Sequence, residues 1–280
     1  MSKSLIRSLP SDIFAFFLKF LFIRRRLTFF LRQYYFNELG FKINIGRGLV
    51  CPVFHPSAIY SLEEIFFENE YQSAFQEINL PNKWLDLGCH YGYFSLYLAW
   101  LHAGANPNSR PYRAFLIDAD SRVGRGIADL IKLNNLDANI SYMHGAVSEG
   151  AGSVSFKENL VMSSSLSALD ESSEGVLIKV PIADQTLIMR HLAPPYDLVK
   201  IDVEGAEYDF LLSYKDIISS TSALIIEWHS WHRGGGSQLQ IQSMVESYGF
   251  QLQKVLQPPK SCSPSGRESV GVLLFTRILP

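Results

Sequence analysis

The densest chemistry in this sequence lies in DLVKIDVEGAE (197–207), where Lys200, Asp202, Glu204 and Glu207 crowd the end of an apolar run. Carboxylates favour helix N-termini, and Glu204 with Glu207 has the spacing of capping residues. Capping accounts for one or two acids. It does not require three, nor a lysine inside an apolar strand, where an unpaired charge is costly. A Lys200–carboxylate pair at the floor of a crevice explains the excess.

A second cluster is DLGCHYG (86–92). Gly88 lets the backbone turn sharply and approach a ligand, and Gly92 lets a following helix pack close to the strand. A dinucleotide fingerprint would read GxGxxG, with helix amides cradling a pyrophosphate. Here His90 stands at the second glycine position and the spacing is GxxxG, which counts against NAD or FAD. A loop of the form DxGxxxG suits a ligand whose charged groups are an ammonium and a sulfonium, and S-adenosylmethionine is such a ligand. Thirty residues after Gly88, FLIDAD (115–120) ends in Asp118 and Asp120. Asp118 is placed to accept hydrogen bonds from vicinal ribose hydroxyls, and Asp120 or Ser121 to cap the next helix.

The third cluster is EWHSWH (227–232). His229 and His232 are three apart, but no HExxH or comparable ligand set accompanies them, so no metal is expected. A histidine just past a strand end is better placed as a proton acceptor, because its ordinary pKa of about 6.5 is near working pH. Trp228, Trp231 and Tyr91 either wall a pocket or belong to the core.

These clusters need a scaffold that gathers them. Short apolar runs at 83–87, 114–117, 140–143, 196–201, 223–227 and 271–276 alternate with helical patterns near 93–102, 123–133 and 238–248. That rhythm predicts an α/β fold with a parallel sheet covered on both faces. Its ligand crevice lies beyond the carboxyl ends of the strands, which is where all three clusters fall. Residues 63–78 predict a helix, and 103–110, 149–175, 233–237 and 257–267 predict loops.

The chain has 280 residues, 47% hydrophobic and 19% charged, with net charge −2. It is too apolar for a disordered tail and carries no global charge that would attract nucleic acid. Cys51, Cys89 and Cys262 are odd in number and never form CxxC, so a reducing, cytoplasmic setting is expected. Charge is uneven. Residues 1–37 carry seven lysines and arginines against Asp12, a local +6, which leaves −8 for the rest. Ile13–Ile23 is apolar apart from Lys19, yet a bilayer span needs about 20 residues. Either this segment covers an apolar face of the domain, or residues 13–32 rest on an anionic membrane as an interfacial helix.

WLDLGCHYGYFSLYLA (84–99), FLIDAD, GAVSEGAGSVSF (145–156), DLVKIDVEGAEYDFL (197–211) and LIIEWH (224–229) together resemble the FkbM family of S-adenosylmethionine-dependent methyltransferases. The resemblance implies a Rossmann-like class I methyltransferase fold, mostly parallel and seven-stranded, over 63–280; residues 1–62 lie outside it and read as a basic, aromatic helical extension. It also implies methylation of hydroxyl oxygens of sugars, glycans or natural products. Carried over by position, Asp86, Gly88, His90 and Gly92 border the methionine end of the cofactor, Asp118 the ribose, and Ala146 and Val147 the adenine. Asp202, Glu204 and His229 border the transferring methyl. His229 or Asp202 is the candidate base, with Glu204 orienting the acceptor. Cys89-His90 and Asp118-Ala119 depart from the residues more usual at those places. Two rivals remain: an NAD-dependent oxidoreductase or dehydratase, and a membrane-associated scaffold without turnover.

Overall fold

A computed structural model describes residues 41–53, 58–105, 112–159, 175–231, 236–261 and 269–278. The segment 13–32, with its expected membrane contact, lies outside them, as do Cys262 and His232. Among the described residues no helix is long and apolar enough to cross a membrane.

The expected strands form at Lys83–Leu87 (β3), Arg113–Asp118 (β4), Ile140–His144 (β5), Tyr196–Ile201 (β8), Thr221–His229 (β9) and Ser269–Arg277 (β11). A strand at Phe250–Ser261 (β10) completes a seven-stranded sheet of order β10-β11-β9-β8-β3-β4-β5. The five strands from β9 to β5 are parallel, and β11 and β10 are antiparallel at one edge. Pleating divides their apolar residues between two cores. Trp84, Leu198 and Ile225 face one core, while Leu85, Leu87, Val199, Ile201, Leu224 and Ile226 face the other. Helix Tyr93–Ala105 (α3) covers the first face with Gly124–Leu133 (α4). Gln185–His191 (α5), Glu207–Ser213 (α6), Lys215–Ser219 (α7) and Gln238–Ser247 (α8) cover the second. Strand order reverses between β3 and β8, so a crevice opens beyond their carboxyl ends.

Four local expectations are corrected. Residues 41–53, inside the expected helical extension, are the antiparallel hairpin Phe41–Gly46 (β1) and Leu49–Val53 (β2), whose alternating Phe41, Ile43, Cys51 and Val53 are buried in the α3 core. The helix expected over 63–78 is broken. Short helical turns at Ala58–Leu62 (α1), Glu63–Phe67 and Ala74–Glu77 (α2) flank a bend at Asn69, which has φ +56°. The expected loop 149–175 contains Ser153–Asn159 (β6), which pairs with Gly175–Pro181 (β7). The expected loop 257–267 begins inside β10, an edge strand that tolerates Pro258 and Pro259.

The hairpin is held to the domain by Asn134 at the end of α4. Its side chain accepts from the Val50 amide at 2.7 Å and donates to the Val50 carbonyl at 2.8 Å, as a neighbouring strand would. Asn134→Ala leaves both backbone groups without these partners. Chemical denaturation is expected to show a loss of about 2–4 kcal/mol.

Candidate functional site

Three strand ends build the site. After β3 the amides of Gly88 and Cys89 both donate to the Ile117 carbonyl, at 2.9 and 3.1 Å. This pulls the loop tightly around the end of β4. Gly88 has φ +73°, and a Cβ there would lie 1.6 Å from the Asp202 carbonyl oxygen. Only glycine lets the two strand ends approach so closely. The His90 amide donates to Asp118 Oδ2 at 2.6 Å, and the Asp120 amide to Asp118 Oδ1 at 2.8 Å. Burial outweighs these bonds and raises the Asp118 carboxyl to about 7. Asp120 pairs with Arg122 instead of facing a ligand alone.

The end of β8 carries the expected ion pair. Lys200 Nζ donates to Asp202 Oδ2 at 2.9 Å and lies 3.8 Å from Asp86 Oδ1. Burial opposes its charge, but Asp202, Asp86 and Glu227 hold the ammonium above its ordinary range. The chain then turns through Glu204, a non-glycine residue at φ +52°. Glu207 is the true cap of this turn. Its Oε1 accepts from the amides of Val203 at 3.1 Å and Gly205 at 3.0 Å. Glu204 is thereby free of capping duty, and its carboxyl is pushed up to about 7, chiefly by burial.

From β9, His229 completes the cluster. Its Nδ1 lies 2.9 Å from the same Glu207 Oε1. Nε2 faces Glu204 Oε2 at 3.7 Å and Glu227 Oε1 at 3.9 Å. Burial works against the imidazolium, yet Glu207, Glu204 and Glu227 together hold its pKa well above the ordinary value. Glu227 is itself raised, by burial and then by Asp202.

A cavity of about 480 Å³ joins these strand ends. Of the residues singled out in the sequence, Gly88, His90, Asp118, Asp202, Glu204 and His229 line it. A smaller adjoining recess is lined by Ala146, Val147, Ile117 and Phe156, a largely apolar slot next to Asp118. Asp86 and Gly92 are not on the wall. Asp86 is fully buried, accepts from Ser95 at 2.7 Å and reaches the cavity only through Lys200. Gly92 packs against Leu116, where a Cβ would come within 3.2 Å. Tyr91 and Trp231 line the cavity, whereas Trp228 belongs to the core.

Glu64, Glu70, Glu227 and Lys260 also line the cavity and were not singled out in the sequence. Glu227 carried a usable signal, an acid inside the apolar run ALIIE, as Lys200 did in its own strand. Glu64 and Glu70 come from the broken helical segment, where no spacing rule marks them. Burial raises both to about 7. Altogether the wall holds seven carboxylates (Glu64, Glu70, Asp118, Asp120, Asp202, Glu204, Glu227) against Lys200, Lys260 and the imidazolium of His229. Such a wall repels a pyrophosphate and attracts a cation.

The sequence profile of the methyltransferase FkbM domain matches residues 103–252. No curated protein is significantly similar in sequence. Among solved structures, the N-terminal domain of EvdMO1 with S-adenosylhomocysteine bound is similar at 11% identity and TM-score 0.48, over 91% of this chain and 97% of that one. TYW2 from M. jannaschii in complex with S-adenosylmethionine is similar at 16% and 0.45, over 87% and 89%. TehB from Haemophilus influenzae is similar at 12% and 0.47, over 80% and 68%. At these values they are resemblances of chain path only.

Proposed function

The chain belongs to the FkbM family of S-adenosylmethionine-dependent methyltransferases, and from that premise we propose that it methylates a hydroxyl oxygen of a neutral, polyhydroxylated acceptor such as a sugar, glycan or natural product. The observation that carries this reading is the convergence of Asp202, Glu204, Glu227 and His229 on one cavity that Tyr71, Tyr91 and Trp231 also line, the Trp231 ring 4.4 Å from that of His229. Carboxylates accept hydrogen bonds from hydroxyls, and aromatic faces cover the apolar face of a ring.

The residues present fit the cofactor. The Gly88 backbone gives close approach, Asp118 offers acceptors for ribose hydroxyls, and Ala146 and Val147 floor a slot suited to a flat base. Acid excess suits a ligand with sulfonium and ammonium charges, which disfavours the NAD-dependent alternative. When bound, the cofactor supplies a methyl carbon activated by positive sulfur.

The chain must position the acceptor and take up its proton. We assign the base to Glu204 instead of His229 or Asp202. Lys200 already holds Asp202, and His229 is ringed by acids. The Glu204 side chain is 30% exposed and lies on the cavity wall. Glu204 would accept the proton of the acceptor hydroxyl as that oxygen takes up the methyl group the bound cofactor would supply. His229 and Asp202 orient the acceptor.

Glu204→Gln is expected to lower kcat by about 10²–10⁴-fold while cofactor affinity changes by less than about threefold. Steady-state rates with labelled cofactor and a glycan pool, beside calorimetric titration, measure both. An undiminished kcat removes Glu204 from the base role.

A further inference from the structure

The geometry points to a binding site for one hard divalent cation, Mn²⁺ or Mg²⁺, formed by Asp202, Glu227 and His229 with Glu204 at its margin. One donor atom from each of the first three residues lies within 4.8 Å of the others. Two donors on opposite sides of such an ion stand about 4.2 Å apart, so side-chain shifts of a few tenths of an ångström suffice.

His229 supplies the observation independent of the acids. It is 2% exposed, and its Nε2 is aimed into the cluster, where among the described residues it meets Glu204 and Glu227 at ion-pair range and makes no hydrogen bond. At 3.7 and 3.9 Å, the oxygens of Glu204 and Glu227 are too far to accept a proton from it. Those separations match ligands spread around a shared ion at about 2.1–2.2 Å.

The surroundings match a metal site as well. Metal-bound histidines usually donate the second ring N–H to a carboxylate, which fixes the tautomer and the ring. Glu207, fully buried and anchored by two backbone amides, is that acceptor here, its Oε1 lying 2.9 Å from Nδ1. Lys200 restrains Asp202 through Oδ2 and leaves Oδ1 for the ion. A donor set of carboxylates with a single imidazole and no thiolate selects Mn²⁺ or Mg²⁺ over softer ions. The ligands come from the ends of two adjacent strands, so searching for closely spaced pairs such as His229 and His232 does not reveal them. Bound beside Glu204, the cation would hold a hydroxylated acceptor by its oxygen. That role, unlike the site itself, rests on the methyl-transfer reading above.

The test uses the full chain, stripped with a chelator and dialysed, then titrated with Mn²⁺ while electron paramagnetic resonance reads the free ion. One saturable Mn²⁺ per chain is expected, displaced by Mg²⁺. Glu227→Gln and His229→Gln should each weaken uptake by at least about tenfold, and Glu207→Gln by about 10–100-fold through ring orientation. Circular dichroism checks that each variant folds. Should His229→Gln fail to fold, Glu227→Gln decides, because the Glu227 side chain makes no hydrogen bond among the described residues. No saturable uptake below millimolar Mn²⁺, or equal uptake in wild type and Glu227→Gln, overturns the site. Methyl transfer that continues undiminished in metal-free protein with excess chelator overturns the cation's part and leaves the methyltransferase reading standing. Mn²⁺ uptake without transfer to any acceptor has the opposite meaning: the site stands and the hydroxyl-methylation reading falls.

Discussion

Gly88→Ala is expected to destabilise the fold by about 3 kcal/mol or more and to abolish cofactor binding. The added Cβ meets backbone, at 1.6 Å from the Asp202 carbonyl oxygen and 2.6 Å from its carbon. Backbone cannot swing aside as a side chain can. Overpacking costs about 1–3 kcal/mol and the left-handed conformation about 1–2 kcal/mol more. Relief requires β3 and β8 to separate at their carboxyl ends, which displaces Asp202 and opens the cavity floor. Gly150→Ala is the control, since Gly150 has φ +87° but nothing within 4 Å of an added Cβ. It should cost only the conformational part. Urea midpoints and calorimetric titration of both variants decide. Equal stabilities for the two would show that the close approach is not what matters.

The second large effect is expected at Glu207. One buried carboxylate oxygen serves the amides of Val203 and Gly205 and the imidazole of His229. Glu207→Ala strands two backbone donors and leaves His229 among Glu204 and Glu227 without its anchor. Removing one partner of such a buried charged network costs about 3–5 kcal/mol. Methyl transfer should fall by at least about 100-fold, because misplacement by about 1 Å has that consequence for an oriented reaction. Glu207→Gln keeps an acceptor oxygen for the amides, so it should regain much of the stability while remaining slow. Parallel denaturation and rate measurements separate these outcomes. A fast Glu207→Gln variant would show that its negative charge is dispensable to His229.

Much of this arrangement could be read before the fold was known, because buried parallel strands announce themselves as apolar runs and exceptions within them stand out. Lys200 was such an exception, and its partner Asp202 lies two residues on. Gly88 was legible as a turn, although its approach to Asp202 depends on β3 lying beside β8, a tertiary fact. Asp118 stood at the expected strand end, and the adjoining slot holds Ala146 and Val147. Asp86 and Gly92 were harder to place. A motif specifies that a residue matters, but not whether it faces the ligand or supports the wall from behind.

The least legible parts were non-local or irregular. Glu64 and Glu70 reach the cavity from a segment whose periodicity resembled one helix, yet Asn69 takes a left-handed conformation and redirects the chain. β10 contains two prolines and shifts register three times against β11, which blurs its alternation. The division of labour between Glu204 and Glu207 was equally hidden. Their three-residue spacing suggested capping, but only the fold shows which of the two accepts the amides.

The most direct test is a calorimetric titration of the purified chain with S-adenosylmethionine, run beside NAD⁺ and beside Asp118→Ala. The expected result is saturable 1:1 binding of the methyl donor, no binding of the dinucleotide, and a loss of about 10–100-fold in the variant. Heat evolved by NAD⁺ alone, or a donor affinity indifferent to Asp118, would contradict an acid-walled cavity built around a cationic adenosyl ligand.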